Sequence, residues 1–94
     1  MPKPDMYIEN YMVIIFKTLA NHIRLKVLKL MIANKAPMTV NAIADNLQLD
    51  QGNLSHNLIR MRKDGVLTVK QVGTTMLYSI KDPNVENILR AIKG

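Results

Sequence analysis

The sequence predicts a mainly α fold with a β-hairpin, in the order helix, helix, helix, helix, strand, strand, helix. Three observations predict it. Apolar residues recur at helical spacing in separate stretches, and the period switches to two between Leu67 and Ile80. Pro37, Gly65, Gly73 and Pro83 fall at the joints between these stretches.

The first helix is expected after Asp5, a residue suited to an N-cap. Tyr7, Ile8, Tyr11, Met12, Ile15, Phe16 and Leu19 follow at steps of three and four, giving a broad apolar stripe that wants a partner. Asn21 is suited to cap a second helix reaching about Ala33. There Ile23, Leu25, Val27, Leu28, Leu30 and Ile32 leave only His22, Lys26 and Lys29 as a narrow polar stripe, so this helix is expected to be central. Asn34 to Met38, with Pro37, reads as a connection. Thr39 caps a short third helix in which Val40, Ile43, Ala44 and Leu47 fit the i, i+3, i+4, i+7 template. From Gln51 to Asp64 a fourth helix buries Leu54, Leu58 and Met61, with Asn53, His56, Asn57, Arg60 and Lys63 expected on its other side; Gly65 ends it. Leu67 and Val69 then alternate with Thr68 and Lys70, and Met76, Tyr78 and Ile80 with Leu77 and Ser79, around a turn at Gly73 and Thr74. Asp82 and Pro83 stand as N-cap and first residue of a closing helix with Val85, Ile88, Leu89 and Ile92 on one apolar face.

Composition narrows the function. The 94 residues leave room for one domain, expected to span 1–94, and 48% hydrophobic with 21% charged residues suits a folded globular chain. With no cysteine, disulfides, thiolate metal sites, iron-sulfur clusters and a cysteine nucleophile are excluded. The longest apolar run, Met12 to Phe16, is far short of the ~20 residues that span a bilayer, and Pro2, Pro4, Asp5 and Glu9 ahead of it do not suit a secretory signal. No membrane partner and a cytoplasmic location are therefore expected. The formal charge of +6 is that of a polyanion binder. No acid stands between Glu9 and Asp45, while Lys17, Arg24, Lys26, Lys29 and Lys35 fall there; Arg60, Arg62, Lys63 and Lys70 form a second cluster broken by Asp64.

Two short helices joined through Leu47 to Asp50, the second polar and basic outside, followed by a hairpin, make a winged helix-turn-helix. In that geometry the fourth helix enters the major groove of double-stranded DNA near its start, where Gln51, Gly52, Asn53, Ser55 and His56 are expected to reach base edges. Arg24, Thr39, Asn57, Arg60, Arg62, Lys63 and Lys70 are expected to meet phosphates, although Arg62 lies nearer the buried side and has an acid as its alternative partner. Gly52 costs ~1 kcal/mol in a helix, accepted either for close backbone approach to DNA or for the turn geometry. Asp50 is expected to cap the helix, with cytosine N4 as a lesser alternative, and Asp45 to face water.

These residues resemble the ArsR/SmtB winged-helix repressors of bacteria and archaea over Phe16 to Ile80. "LANHIRLKVLKLM", Leu19 to Met31, is similar to the family's second-helix signature through Leu19, Ala20, Arg24, Leu25 and Leu28. "LQLDQGNLSHNLIRMRKDGVL", Leu47 to Leu67, resembles its recognition-helix signature through Leu47, Leu49, Gln51, Ser55, Leu58, Arg62 and Gly65, and "GTTMLYSI", Gly73 to Ile80, follows its wing pattern. The resemblance implies a homodimer joined through the first and last helices, an inverted-repeat operator and repression of transcription. Tyr7, Tyr11, Ile15, Val85, Ile88, Leu89 and Ile92 are the interface residues expected from the two apolar stripes.

The chain also departs from the family. Where metal-sensing members carry paired cysteines it has Thr39, Val40, Asn41 and Ala42, and on the last helix Glu86 has no histidine beside it. His22 and His56 lie on separate helices, the first expected in solvent and the second towards DNA, so no metal site and no cofactor are expected. In the wing Gln71 and Thr74 replace basic residues, leaving Lys70. Ser55 and His56 are sequence neighbours on a helix and point apart, so no enzyme is expected. Met12, Met31, Met61 and Met76 fit core positions better than an oxidation sensor. The competing expectation is a winged helix that binds protein, such as an antirepressor or assembly subunit; the thin wing speaks for it.

Overall fold

The structure, a computed structural model, describes residues 4–92. Its elements are α1 (Pro4–Leu19), α2 (His22–Asn34), α3 (Val40–Leu47), α4 (Gln51–Lys63), β1 (Leu67–Val72), β2 (Thr75–Ile80) and α5 (Pro83–Ala91), the order that the periodicity predicts. The caps explain where the helices start. Asn21 Oδ1 accepts from the Arg24 amide at 3.1 Å, Thr39 Oγ1 from Ala42 at 3.1 Å, Asp50 Oδ2 from Asn53 at 2.9 Å and Asp82 Oδ1 from Asn84 at 2.9 Å. α1 departs from expectation: it starts at Pro4, so Asp5 lies inside its first turn instead of capping it. Proline suits the first turn because its missing N–H would have no intrahelical acceptor there.

The helix ends were harder to anticipate. α2 and α3 stop at Lys35 (φ 62°) and Gln48 (φ 54°), non-glycine residues in the left-handed region whose amides return to Met31 O and Ala44 O. Gly65 (φ 80°) and Gly73 (φ 64°) adopt the same region without a Cβ penalty, the first after α4 and the second opening the two-residue hairpin loop.

α2 is the central element, touching α1, α3, α4, β2 and α5. Val27, Leu28 and Met31 from it meet Ile43, Leu54, Leu58, Met61, Val66 and Leu67 in one core, while His22, Lys26 and Lys29 stay outside. The strands pair antiparallel from Leu67↔Ile80 to Val72↔Thr75. Alternation holds only at the base of the hairpin: Leu67 and Tyr78 are buried, but Met76, expected inward, is exposed because the tip extends past the core. Met12 is exposed as well, so among the four methionines assigned to core positions only Met31 and Met61 fill the core. Met38, expected in a plain connection, makes a two-way bridge with Tyr78 (Met38 N–H to Tyr78 O 2.9 Å, Tyr78 N–H to Met38 O 2.8 Å), which ties the end of the α2–α3 connection to the free edge of β2.

Two substitutions test this core. Thr18 is fully buried and its Oγ1 has no partner among the described residues, so Thr18→Val should raise stability by about 1 kcal/mol, because an unsatisfied hydroxyl is exchanged for a methyl of similar shape. Leu58→Ala should lower it by roughly 2–5 kcal/mol through the cavity it opens. Denaturant unfolding measures both, and a loss of stability in the first would mean that the Thr18 hydroxyl is satisfied in solution.

Candidate nucleic-acid interface

The left-handed C-cap Gln48 and the N-cap Asp50 bracket a tight joint between α3 and α4, in which the Leu49 amide donates to Ala44 O at 3.0 Å. Burial of Leu54, Leu58 and Met61 then decides the rotation of α4 about its axis. Asn53, His56, Arg60 and Lys63, spaced by three and four, form an exposed stripe on the opposite side, and Gln51 and Gly52 are exposed at its head. Ser55 is half-buried at the border of the stripe.

Asn57 does not belong to that stripe. It is 6% exposed, at the i+3 position from Leu54 and i−1 from Leu58, on the inward face. Its Oδ1 accepts from Arg24 Nε at 3.1 Å, and its Nδ2 donates to Asn53 O at 3.0 Å and to Asn53 Oδ1 at 3.2 Å. The assignment of Asn57 to a phosphate is therefore corrected: its polar atoms are spent inside the protein. Arg24, half-buried, reaches across from α2 with its Nε committed to this contact. Reading the sequence for charge missed the network; the signal available was a polar residue in the apolar register of α4.

The basic residues behave differently from one another. Arg60 pairs with Asp64 at 3.4 Å, an exposed i, i+4 contact of little net energy, whereas Arg62 is exposed with no acid partner among the described residues. Arg62, expected nearer the buried side with an acid as its alternative partner, is therefore corrected to an exposed cation, and Asp64 pairs with Arg60 instead. Lys63 and Lys70 are exposed, and Lys70 is the one basic residue between Leu67 and Ile80. Gln71 folds over the hairpin tip, donating to Gly73 O at 3.1 Å. Thr39 uses Oγ1 as an acceptor in its cap, leaving the hydroxyl proton to donate. Gln51 donates through Nε2 to Asn41 Oδ1, which adds Asn41 of α3 to the surface at the head of α4, a residue the sequence did not single out. At Gly52 a Cβ would lie 3.3 Å from Asp50 Oδ2, the atom that caps α4, a close contact that a small shift of that side chain would relieve. Asp45 is exposed, as are His22 and His56, and no group of three or more potential metal ligands occurs among the described residues.

The terminal helices present the other unusual surface. Tyr7, Ile8, Tyr11, Met12, Val13, Ile14 and Phe16 are all exposed on α1, from 38% at Tyr11 to 64% at Tyr7, and Ile92 beyond α5 is 71% exposed. A helix apolar on nearly every side is a helix meant to be covered. Between α1 and α5 runs a groove of about 350 Å³ with Met12, Phe16, Ile88 and Ala91 among its lining residues. Two expected interface residues are corrected: Ile15 (2% exposed) and Val85 (fully buried) are core residues of the protomer, Ile15 showing only at the floor of that groove. Ile88 and Leu89 are half-buried against the same core. Asp82 joins the two helices, its Oδ1 capping α5 and its Oδ2 accepting from the Tyr11 hydroxyl, which in turn accepts from Asn84 Nδ2 at 3.1 Å.

Comparison with known proteins bears on this arrangement. The family described as "Bacterial regulatory protein, arsR family" matches residues 21–69, from the α2 cap to the middle of β1. The chain belongs to the arsR family. It is a DNA-binding transcriptional regulator with a winged helix-turn-helix fold. An uncharacterized HTH-type transcriptional regulator of Methanocaldococcus jannaschii is 35% identical to this arsR-family chain over 83% of it and 86% of the relative. The transcriptional repressor PagR of Bacillus anthracis is 35% identical over 83% of the chain and 77% of the repressor. PagR's crystal structure superposes with a TM-score of 0.78 at 31% identity, covering 94% and 98% of the two chains. HlyU from Vibrio cholerae superposes with a TM-score of 0.80 at 25% identity over 88% of each chain.

The contact between α1 and α5 in this arsR-family chain is open to a direct measurement. Donation to the Asp82 carboxylate holds the Tyr11 pKa above the ordinary tyrosine value, because ionising the phenol would forfeit that bond and set two anions together. A raised pKa means that the stabilisation by this bond is complete below the ordinary tyrosine range and is lost as pH climbs through the shifted value. Ultraviolet titration should show one tyrosine ionising late, and Asp82→Asn should return it to the ordinary range. A late transition that persists in that variant would assign the shift to another tyrosine.

Proposed function

We propose that this regulator, folded as one winged helix-turn-helix unit over residues 1–94, works as a homodimer that reads an inverted-repeat operator through α4 and acts as a repressor. The observation that carries the readout is the polar stripe of α4: Gln51, Asn53 and His56 stand exposed at its amino-terminal end, with Gly52 and half-buried Ser55 between them. Side chains of this type donate to and accept from base edges in the major groove. Arg60, Arg62 and Lys63 follow one to three turns later, at the distance where a helix leaving the groove meets the phosphate backbone. Arg24, Thr39 and Lys70 flank them on α2, the α3 cap and the wing. Repression is the reading favoured by the similarity to the repressor PagR, while HlyU of Vibrio cholerae, 26% identical over 85% of the chain, is a transcriptional activator.

Dimerisation is supported by the uncovered apolar side chains of α1 and by Ile92, which exceed what a chain of this size leaves open without a partner. Tyr7, Ile8, Met12, Phe16 and Ile92, with the outer edges of Ile88 and Leu89, are the residues assigned to the contact. Two recognition helices related by a two-fold axis enter successive major grooves, so the half-sites should lie about 10 to 10.5 base pairs apart or a multiple of that. The cytoplasm, where a prokaryotic cell keeps its DNA, is the compartment that goes with this reading.

Selection of bound sequences from a random pool tests the readout. It should return an inverted repeat, and Gln51→Ala and His56→Ala should each relax preference at single positions by ~1–3 kcal/mol. Arg62→Ala and Lys63→Ala should weaken binding to all sequences alike and each flatten the salt dependence by about one charge per half-site. Recovery of no repeat would overturn the readout by α4. Phe16→Asp, at an exposed position, should yield folded monomers in analytical ultracentrifugation with DNA affinity lowered, since the half-sites are then no longer bound together. A dimer that survives this substitution would move the interface off α1.

A further inference from the structure

The contacts around Asn57 do more than join α2 to α4. An asparagine carboxamide has an accepting and a donating end, and which end faces which neighbour follows from partners whose polarity is fixed. Arg24 Nε is donor only, so the Asn57 atom 3.1 Å from it is the carbonyl oxygen. The opposite end of Asn57, its Nδ2, faces the main-chain carbonyl of Asn53 at 3.0 Å, which is acceptor only and agrees with that orientation. The same Nδ2 lies 3.2 Å from the side chain of Asn53, whose atom there must accept and is Oδ1. With Oδ1 turned inward, the Asn53 amide group is left facing away from the protein, and it has no partner among the described residues. Asn53 itself is exposed on the outer stripe of α4, one turn before His56.

We propose that Asn57 is a positioning residue that orients Asn53 as a hydrogen-bond donor towards DNA, so that the protein selects a keto base, guanine or thymine, at the edge Asn53 reaches. The proposal rests on the readout by α4 set out above. Guanine offers O6 and N7 and thymine offers O4 as acceptors in the major groove, whereas cytosine offers only the N4 donor, which would meet the Asn53 amide proton to proton, and adenine offers its N7 acceptor only beside the N6 donor. Arg24 thereby takes part in base selection from another helix. Its charge biases the Asn57 carbonyl inward, and the orientation is passed on through two side chains before it reaches the DNA surface.

Asn57→Asp tests the relay. The carboxylate keeps the Arg24 contact but has no proton to give, so it loses the bond to the Asn53 main-chain carbonyl and also faces Asn53 Oδ1 as a second acceptor unless the Asn53 amide turns over, presenting Oδ1 outward. In selection from a random pool, the wild-type protein should favour a keto base by about tenfold at one position in each half-site, and Asn57→Asp should reverse that column towards cytosine or adenine while leaving the other columns unchanged. Asn53→Ala serves as the reference and should flatten the same column. If Asn53→Ala leaves every column as it was, Asn53 does not read a base and the proposal falls with that part of the readout. If Asn53→Ala flattens the column but folded Asn57→Asp protein keeps the keto preference, the relay alone is overturned and the readout stands. Should the Asn57→Asp variant not fold, amide exchange in the wild-type protein decides. The Asn57 side-chain protons, both engaged, should exchange about tenfold more slowly than those of Asn53, and equal rates would overturn the relay.

Discussion

What α4 presents on its outer face depends on the burial of Leu54, Leu58 and Met61 beneath it. These three side chains have no exposed surface, and they meet a core built from α2, α3 and the start of β1. Because a helix cannot rotate once such a row is buried without exposing apolar area at ~25 cal/mol per Å², the row also decides which residues face out. Asn53, His56, Arg60 and Lys63 lie on the outer stripe for this reason alone. Charge and polarity then give that stripe its use: the amino-terminal half carries short polar and amide side chains, the carboxy-terminal half carries cations, and Asp64 tempers only Arg60 among them.

Polar contacts refine what the apolar core places. The Thr39 and Asp50 caps open α3 and α4 in turn, and the Asp50 carboxylate stands 3.3 Å from where a Cβ at position 52 would lie. Asn57 shows the cost and the return of a buried amide. Its carbonyl and amide groups would be expensive to leave unpaired, and all of them are satisfied by Arg24 and Asn53, which couples the central helix to the outer face of α4. Asn41 and Gln51 make a comparable link between α3 and the first turn of α4 at the surface.

The terminal helices follow a different logic. α1 contributes Ile15, Thr18 and part of Leu19 to the protomer and leaves most of its other apolar residues uncovered, while α5 is anchored by Val85 and by the contact of Tyr11 with Asp82. The Tyr11–Asp82–Asn84 contacts hold these helices side by side and shape the groove between them, so the open apolar surface is bordered by polar side chains that are themselves paired within the chain.

From its residues alone the sequence determined the element order, the cap residues Asn21, Thr39, Asp50 and Asp82, the central place of α2 and the polar outer face of α4. Each of these is a local matter of period, capping chemistry or turn residue, settled by neighbours within a few positions. Tertiary structure decided the rest. Ile15 and Val85 carry the same apolar stripe as their neighbours, and only the packing of α1 and α5 onto the body shows that they belong to the core and not to a partner. Met76 obeys the alternation of β2 yet lies on a tip that outruns the core. Asn57 is polar on a polar helix, and its inward place emerges only when Arg24, 33 residues earlier, is brought beside it. Periodicity names a face but not the distance to what covers it, and that distance is a property of chain segments remote in sequence.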